Sequence, residues 1–211
     1  MKRWLALLAA CVAAPVLGQP NAILLVAKPG LPDPNFRESV VLVTRSEEAS
    51  TVGVILNRPT TMRLAELAPR WPGAEKFTEP LYSGGPVMRQ VVLALYVSDE
   101  TPKGAAFHVL PRVYLTMHPA NIEPLVAHGA ARMRLYAGFS GWAPRQLENE
   151  MDSGSWYVLP ANEALLFRTD TAGMWAELVE RARGARTERD PATRVAGHRH
   201  RDREAFDILA P

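Results

Sequence analysis

Three short apolar runs in the first part of this chain constrain its fold more than any other feature. They lie at 22–28 (Ala-Ile-Leu-Leu-Val-Ala-Lys), 39–44 (Ser-Val-Val-Leu-Val-Thr) and 51–57 (Thr-Val-Gly-Val-Ile-Leu-Asn). Each is short enough to be a buried strand, and the second is rich in β-branched residues that suit a pleated surface. The polar stretch 46–50 separates the second run from the third, which reads as an antiparallel hairpin. Prolines at 29, 32 and 34 lie between the first run and the second. Each fixes φ and removes a donor, so that connection is stiff.

The rest of the chain alternates further strand and helix signals. Strands are expected at 90–97, 107–110, 113–116, 132–139, 156–159 and 164–167. A short helix bearing Leu64, Leu67 and Ala68 is capped by Thr60 or Thr61. A second starts at an Asn121 cap, takes Pro124 in its first turn and stops at Gly129. A third has Pro144 at its first position and stops at Gly154. The fourth covers 171–183, turns Met174, Trp175, Leu178 and Val179 inward, and closes at Gly184. Many strands with interspersed helices define an α+β chain with a mixed, mainly antiparallel sheet.

Both ends differ from this body. Lys2 and Arg3 precede an uncharged apolar stretch reaching Ala14, and Val16-Leu17-Gly18 offers a cut ahead of Gln19. That is the layout of a secretory signal peptide over 1–18. The apolar stretch is shorter than the roughly 20 residues a membrane-spanning helix needs. The expectation is export to the periplasm, with no transmembrane helix in the mature chain. Two alternatives stay open. Leu8-Ala-Ala-Cys11 fits a lipoprotein box, which would tie the protein to a membrane through Cys11, and a mis-set start would leave it in the cytosol. The domain is expected over 19–184, followed by a charged, disordered tail at 185–211.

Composition excludes some roles. The chain is 47% hydrophobic and 22% charged, ordinary for a globular protein. It has 24 basic and 22 acidic residues; a cut after Gly18 removes Lys2 and Arg3 and no acid, leaving 22 against 22. A formally neutral chain without a basic stripe argues against nucleic-acid binding, which depends on neutralising phosphates. The same cut removes Cys11, the one cysteine, and with it any thiol chemistry. Of the five histidines, only His198 and His200 are closely spaced, in the tail. No metal site and no cofactor is expected.

The chemically capable residues gather at element ends. The stretch 138–150, Gly-Phe-Ser-Gly-Trp-Ala-Pro-Arg-Gln-Leu-Glu-Asn-Glu, is the densest. Ser140 sits in a Gly-x-Ser-x-Trp context; the nucleophile elbow needs a small residue where Trp142 stands, so a turn serine is the better reading. Glu148 and Glu150 point about 200° apart on a helix and do not pair for acid–base work. Gln146 and Glu150, four apart, share a face. Asn57-Arg58 could present a guanidinium to an anion, against an internal salt bridge or capping bond, with Glu150 as one partner. Gly84-Gly85-Pro86 could form an anion-binding turn, against a plain tight turn. The expected cleft is therefore Asn57, Arg58, Gly84, Gly85, Trp142, Gln146 and Glu150. Gly138 to Trp142 is expected to form the turn that delivers Gln146 and Glu150 to it.

Five pieces in register resemble the YqgE/AlgH family. They are Leu25-Val-Ala-Lys-Pro-Gly-Leu31 with Asp33-Pro-Asn-Phe36; Gly53-Val-Ile-Leu-Asn-Arg-Pro59; Ser83-Gly-Gly-Pro-Val87; Gly138-Phe-Ser-Gly-Trp142 with Gln146-Leu-Glu-Asn-Glu150; and Trp156. The resemblance spans residues 22–183. It implies a single compact domain with a strongly curved, barrel-like sheet, and no enzymatic mechanism. One member's name links it to regulation of alginate production.

The leading expectation is a non-enzymatic binding or regulatory domain for a protein or small-molecule partner. A hydrolase using Glu150, Arg58 or Ser140 is the alternative. A transcriptional regulator is disfavoured by the neutral charge.

Overall fold

A computed structural model describes residues 22–45, 51–129 and 132–189. The 46–50 turn, the 1–18 leader and most of the tail fall outside them. The three apolar runs form β1 (Ala22–Ala27), β2 (Val40–Arg45) and β3 (Thr51–Ile55), paired antiparallel in chain order. Next come helix α1 (Leu64–Leu67), β4 (Tyr82–Ser83), β5 (Val87–Val97), β6 (Phe107–Leu110) and β7 (Val113–Thr116). Helix α2 (Pro119–His128), β8 (Met133–Trp142), α3 (Gln146–Asp152), β9 (Trp156–Pro160), α4 (Glu163–Leu166) and α5 (Met174–Arg189) complete the chain. The sheet runs β6-β7-β5-β8-β3-β2-β1-β9, antiparallel throughout, and β4 adds a parallel pair on β8. It is one mixed, mainly antiparallel sheet curled into a half-barrel.

Burial on both faces explains the unbroken apolar runs. On β1, Leu24 and Val26 face the interior with Leu42, Val54, Leu93 and Tyr136, closed by Leu178 and Val179 of α5. Ile23, Leu25 and Ala27 face outward, under Leu147 and Met151 of α3 and the indoles of Trp142 and Trp156. An antiparallel strand wet on one side would alternate; these do not because helices and aromatics cover the second face. A third cluster joins Ala94, Tyr96 and Leu135 to Leu64 of α1 and Ile122 of α2. Trp175 of α5 donates its indole N–H to the Ala27 carbonyl at 2.7 Å, which pins α5 to the end of β1.

Strand β8 joins the two halves. Residues 133–137 and Phe139 pair with β5, and Ser140–Trp142 pair with β3. Gly138, at φ 71°, lies just before the change of partner, which falls between Phe139 on β5 and Ser140 on β3. The expected turn over 138–142 is therefore corrected: the segment stays in the strand, because both neighbours accept its ladder bonds. The Gly84-Gly85 pair crosses it there. A Cβ on Gly84 would sit 2.1 Å from the Gly138 carbonyl oxygen, and one on Gly85 would sit 2.4 Å from that of Phe139. Only backbone fits between these strands.

Several expected boundaries also change. Residues 164–167 are not a strand, because the Asn162 side chain accepts the Leu165 N–H at 3.0 Å and starts α4. His118, not Asn121, caps α2, accepting the Ala120 N–H on Nδ1 at 3.2 Å. Asn121 is held inside instead, taking the Gly104 N–H at 2.8 Å and bonding Thr116 Oγ1 at 3.0 Å. Pro124 thus lies in the helix interior, not its first turn. The N-cap of α1 is Arg63; Thr60 bonds the Leu81 carbonyl at 2.8 Å instead. Pro144 precedes α3, which starts after a left-handed Arg145. Gly184 does not end α5, which continues to Arg189.

The backbone crossing has a measurable consequence. Gly84→Ala should lower unfolding free energy by about 1–3 kcal/mol, the usual range for overpacking. Gly184→Ala, in the helix with open space around it, should raise it by up to about 1 kcal/mol. Urea melts of both variants read the contrast.

Candidate functional site

Five of the seven expected site residues divide between two adjoining structures, and Gly84 and Gly85 lie apart from both in the crossing over β8. The first is built on Glu150. Its Oε2 accepts the indole N–H of Trp142 at 3.1 Å and that of Trp156 at 3.0 Å. Its Oε1 accepts Gln146 Nε2 at 3.0 Å, one helical turn earlier on α3. Gln146 in turn accepts the Ala143 N–H at 3.1 Å and fastens the strand-to-helix connection. Buried indoles need an acceptor for their N–H groups, and one carboxylate serves both. Glu148 faces elsewhere, 3.4 Å from the Arg45 guanidinium.

The second is built on Asn57 and Arg58. Asn57 Oδ1 accepts the Val40 N–H at 2.8 Å, and its Nδ2 donates to the Glu38 carbonyl at 2.9 Å. Arg58 donates from Nη1 to the Asn35 carbonyl and from Nη2 to the Arg37 carbonyl, the latter at 2.8 Å. Burial pulls its pKa below the ordinary arginine value, and the nearby charge of Asp33 opposes that shift. Between them the two side chains hold the 33–38 loop, including Glu38 at a left-handed φ of 55°. A non-glycine residue held there is strained, and the surrounding bonds maintain it.

Phe36 links the two. It is stacked on Trp142 at 5.9 Å between centroids and meets Trp156 edge-on at 5.6 Å. The order of contact runs from Arg58 through the loop to Phe36, then through both indoles to Glu150. The guanidinium does not bond Glu150, the partner the sequence offered; the loop carbonyls take it instead. Arg58 is bound to the β4 side through its own carbonyl, which accepts the Ser83 N–H at 2.8 Å.

Gly84 and Gly85 are corrected as a candidate anion turn. Both are buried, and the Gly84 N–H is already given to the Ala137 carbonyl at 3.0 Å. The Gly84 carbonyl accepts Ile55 N–H at 3.0 Å and Ser140 Oγ at 3.2 Å. Ser140 is fully buried and donates to a backbone oxygen, an arrangement unsuited to a nucleophile. Phe36 and Trp156 have key places that the sequence reading left to family motifs alone. The signal that could have found them is physical: two tryptophans beside apolar strands need two hydrogen-bond acceptors, and Glu150 is within a few residues of both.

Among the described residues, no group of three or more His, Cys, Asp or Glu side chains is placed to hold a metal ion. No helix there is long and apolar enough to cross a membrane.

This is a single-domain α+β half-barrel whose polar motif residues lock a proline-rich loop against an indole–carboxylate cluster. The family model described as DUF179, AlgH-like, matches residues 24–186, and the chain belongs to that family. A UPF0301 protein of Thermobifida fusca is 37% identical over 172 residues, covering 76% of this chain and 86% of that protein. One from Myxococcus xanthus is 34% identical over 177 residues, covering 82% and 94%. The solution structure of the AlgH protein from Pseudomonas aeruginosa matches with a TM-score of 0.63 at 25% identity, over 80% of this chain and 90% of that one. The crystal structure of protein DIP2367 from Corynebacterium diphtheriae gives 0.62 at 27% identity, over 77% and 86%.

Removing the shared acceptor tests the cluster. Glu150→Ala leaves two indole N–H groups unpaired and should cost about 1–3 kcal/mol of stability. Glu150→Gln keeps one acceptor oxygen and should cost less. Urea unfolding followed by tryptophan fluorescence distinguishes the two.

Proposed function

We propose that this AlgH-like chain is a non-enzymatic binding or regulatory domain, carried to the periplasm, that presents a rigid loop surface to a protein or small-molecule partner. One observation carries the reading: the groups that could do chemistry are used internally. The Glu150 carboxylate receives three N–H donors, the Arg58 guanidinium is bound to two carbonyls, and Ser140 is bound to a third. A general base or nucleophile needs a free lone pair facing substrate. What the same bonds supply is a fixed loop, and fixed loops at strand ends are common binding surfaces. Pro34, Arg37 and Glu38 are its exposed residues, beside exposed Gln146. Export rests on the leader sequence, with a cut before Gln19.

The purified protein should show no turnover of ester, phosphoester or peptide substrates above that of Glu150→Gln. Turnover that disappears in a folded Glu150→Gln would replace this reading with the hydrolase one. N-terminal sequencing of the periplasmic fraction should find Gln19 first. An intact Met1 in the cytosol would remove the export element, and a lipid on Cys11 would move the protein to a membrane surface.

A further inference from the structure

Away from that loop, a cavity of 690 Å³ opens between the 73–82 segment, α2, the start of β8 and α4. Its volume is within the range of small-molecule sites, about 300–1,000 Å³. Phe77, Leu125, Met133 and Phe167 give it apolar walls, and Tyr82 and Arg134 give it a polar end. Arg134 is 6% exposed. Its guanidinium lies over the Tyr82 ring, 4.3 Å from the centroid. It donates to the carbonyls of Leu166, at 3.0 Å, and Arg168. Among the described residues, no carboxylate comes within ion-pair distance of it. A buried charge normally has a counterion, and here two carbonyls at the end of α4 do part of that work. Two residues along the same strand face, the Tyr136 hydroxyl is fully buried, and the Arg134 guanidinium is in position to hydrogen-bond it. Burial pushes its pKa well above the ordinary phenol value, with nearby Arg134 opposing.

We infer that this cavity is a binding site for a monocarboxylate with an apolar body, its carboxylate paired with Arg134 and its body against Phe77, Leu125, Met133 and Phe167. The Arg134 fork already gives one N–H from each terminal nitrogen to a carbonyl, so the carboxylate takes its remaining N–H groups, and one buried cation balances one negative charge. A phosphate dianion fits less well. Arg132 in the lining is already paired with Glu163 at 2.5 Å, and Glu79 offsets the exposed Lys76, which leaves a net charge of one from Arg134. This goes beyond the loop-surface reading and stands apart from it, since none of its residues belongs to the Glu150 or Arg58 networks.

Titration calorimetry on the full-length protein tests it with octanoate and phenylacetate, their neutral alcohols 1-octanol and 2-phenylethanol, and inorganic phosphate. At least one carboxylate should bind and shift the NMR amide signals of Tyr82, Arg134 and Phe167. Its alcohol should bind about tenfold more weakly, the scale of one lost charge-assisted contact. Ala164→Trp, placed on the exposed rim, should block binding while keeping the wild-type melt. Arg134 also supports α4, so the rim variant is preferred; if it melts early, the amide shifts of the unsubstituted protein decide. Binding of neither carboxylate, equal affinity for the alcohol, preference for phosphate, or shifts confined to other residues would overturn the inference. None of these outcomes bears on the absence of turnover expected for the loop site.

Discussion

The close crossing of two backbones, at Gly84-Gly85 over Gly138, is the contact on which the rest of this structure depends. β8 must serve two sub-sheets, one through β5 and one through β3, and it changes partners just past Gly138, between Phe139 and Ser140. The Gly84 carbonyl receives an N–H from β3 and a hydroxyl from Ser140 of β8, while the Gly84 N–H bonds β8 again. Any side chain at Gly84 or Gly85 would force the strands apart, since its first carbon would overlap backbone atoms. The half-barrel follows: a sheet that bends sharply at one strand can wrap around Leu24, Leu42, Leu93 and Tyr136 and be closed by α5.

The same bend directs the end of β8 toward α3. Trp142 is the last residue of the strand, and its indole meets Glu150 one short connection later. From there a single line of contacts reaches Trp156, Phe36 and the loop held by Asn57 and Arg58. Residues far apart in sequence thus fix one loop, through hydrogen bonds at both ends and aromatic stacking in the middle. Charge-assisted bonds of this kind are worth more than neutral ones and keep geometry fixed. That is a reason to read the polar motif as architecture for recognition. The proposed binding role rests on this engagement of Arg58 and Glu150.

Much of the fold was legible. The runs at 22–28, 39–44 and 51–57 became three neighbouring strands because their apolar residues are buried on both faces. Errors fell where tertiary partners outweigh local signals. Gly138 to Trp142 carries turn residues, yet β3 and β5 supply ladder bonds that keep it extended. Residues 164–167 are apolar enough for a strand, but Asn162 starts a helix there. Asn121 has the chemistry of a cap and is used as an internal bridge. The site was legible as a set of residues and not as a set of contacts. Gln146 with Glu150 followed from helical spacing. The Arg58 partners did not, because they are backbone carbonyls and carry no side-chain signature. The Arg134 cavity left no trace in the sequence, since its walls come from four separate segments.

The central claim is that Asn57 and Arg58 hold the 33–38 loop as a rigid part of the sheet. Amide hydrogen exchange measures this directly. The N–H groups of Phe36 and Arg37, which bond the Asp33 carbonyl, and of Ser39 and Val40, which bond Phe36 and Asn57, should exchange slowly. Arg58→Met should speed the loop amides while leaving those of β1 and β8 protected. Fast exchange in the unsubstituted protein, or loop protection indifferent to Arg58→Met, would contradict the account.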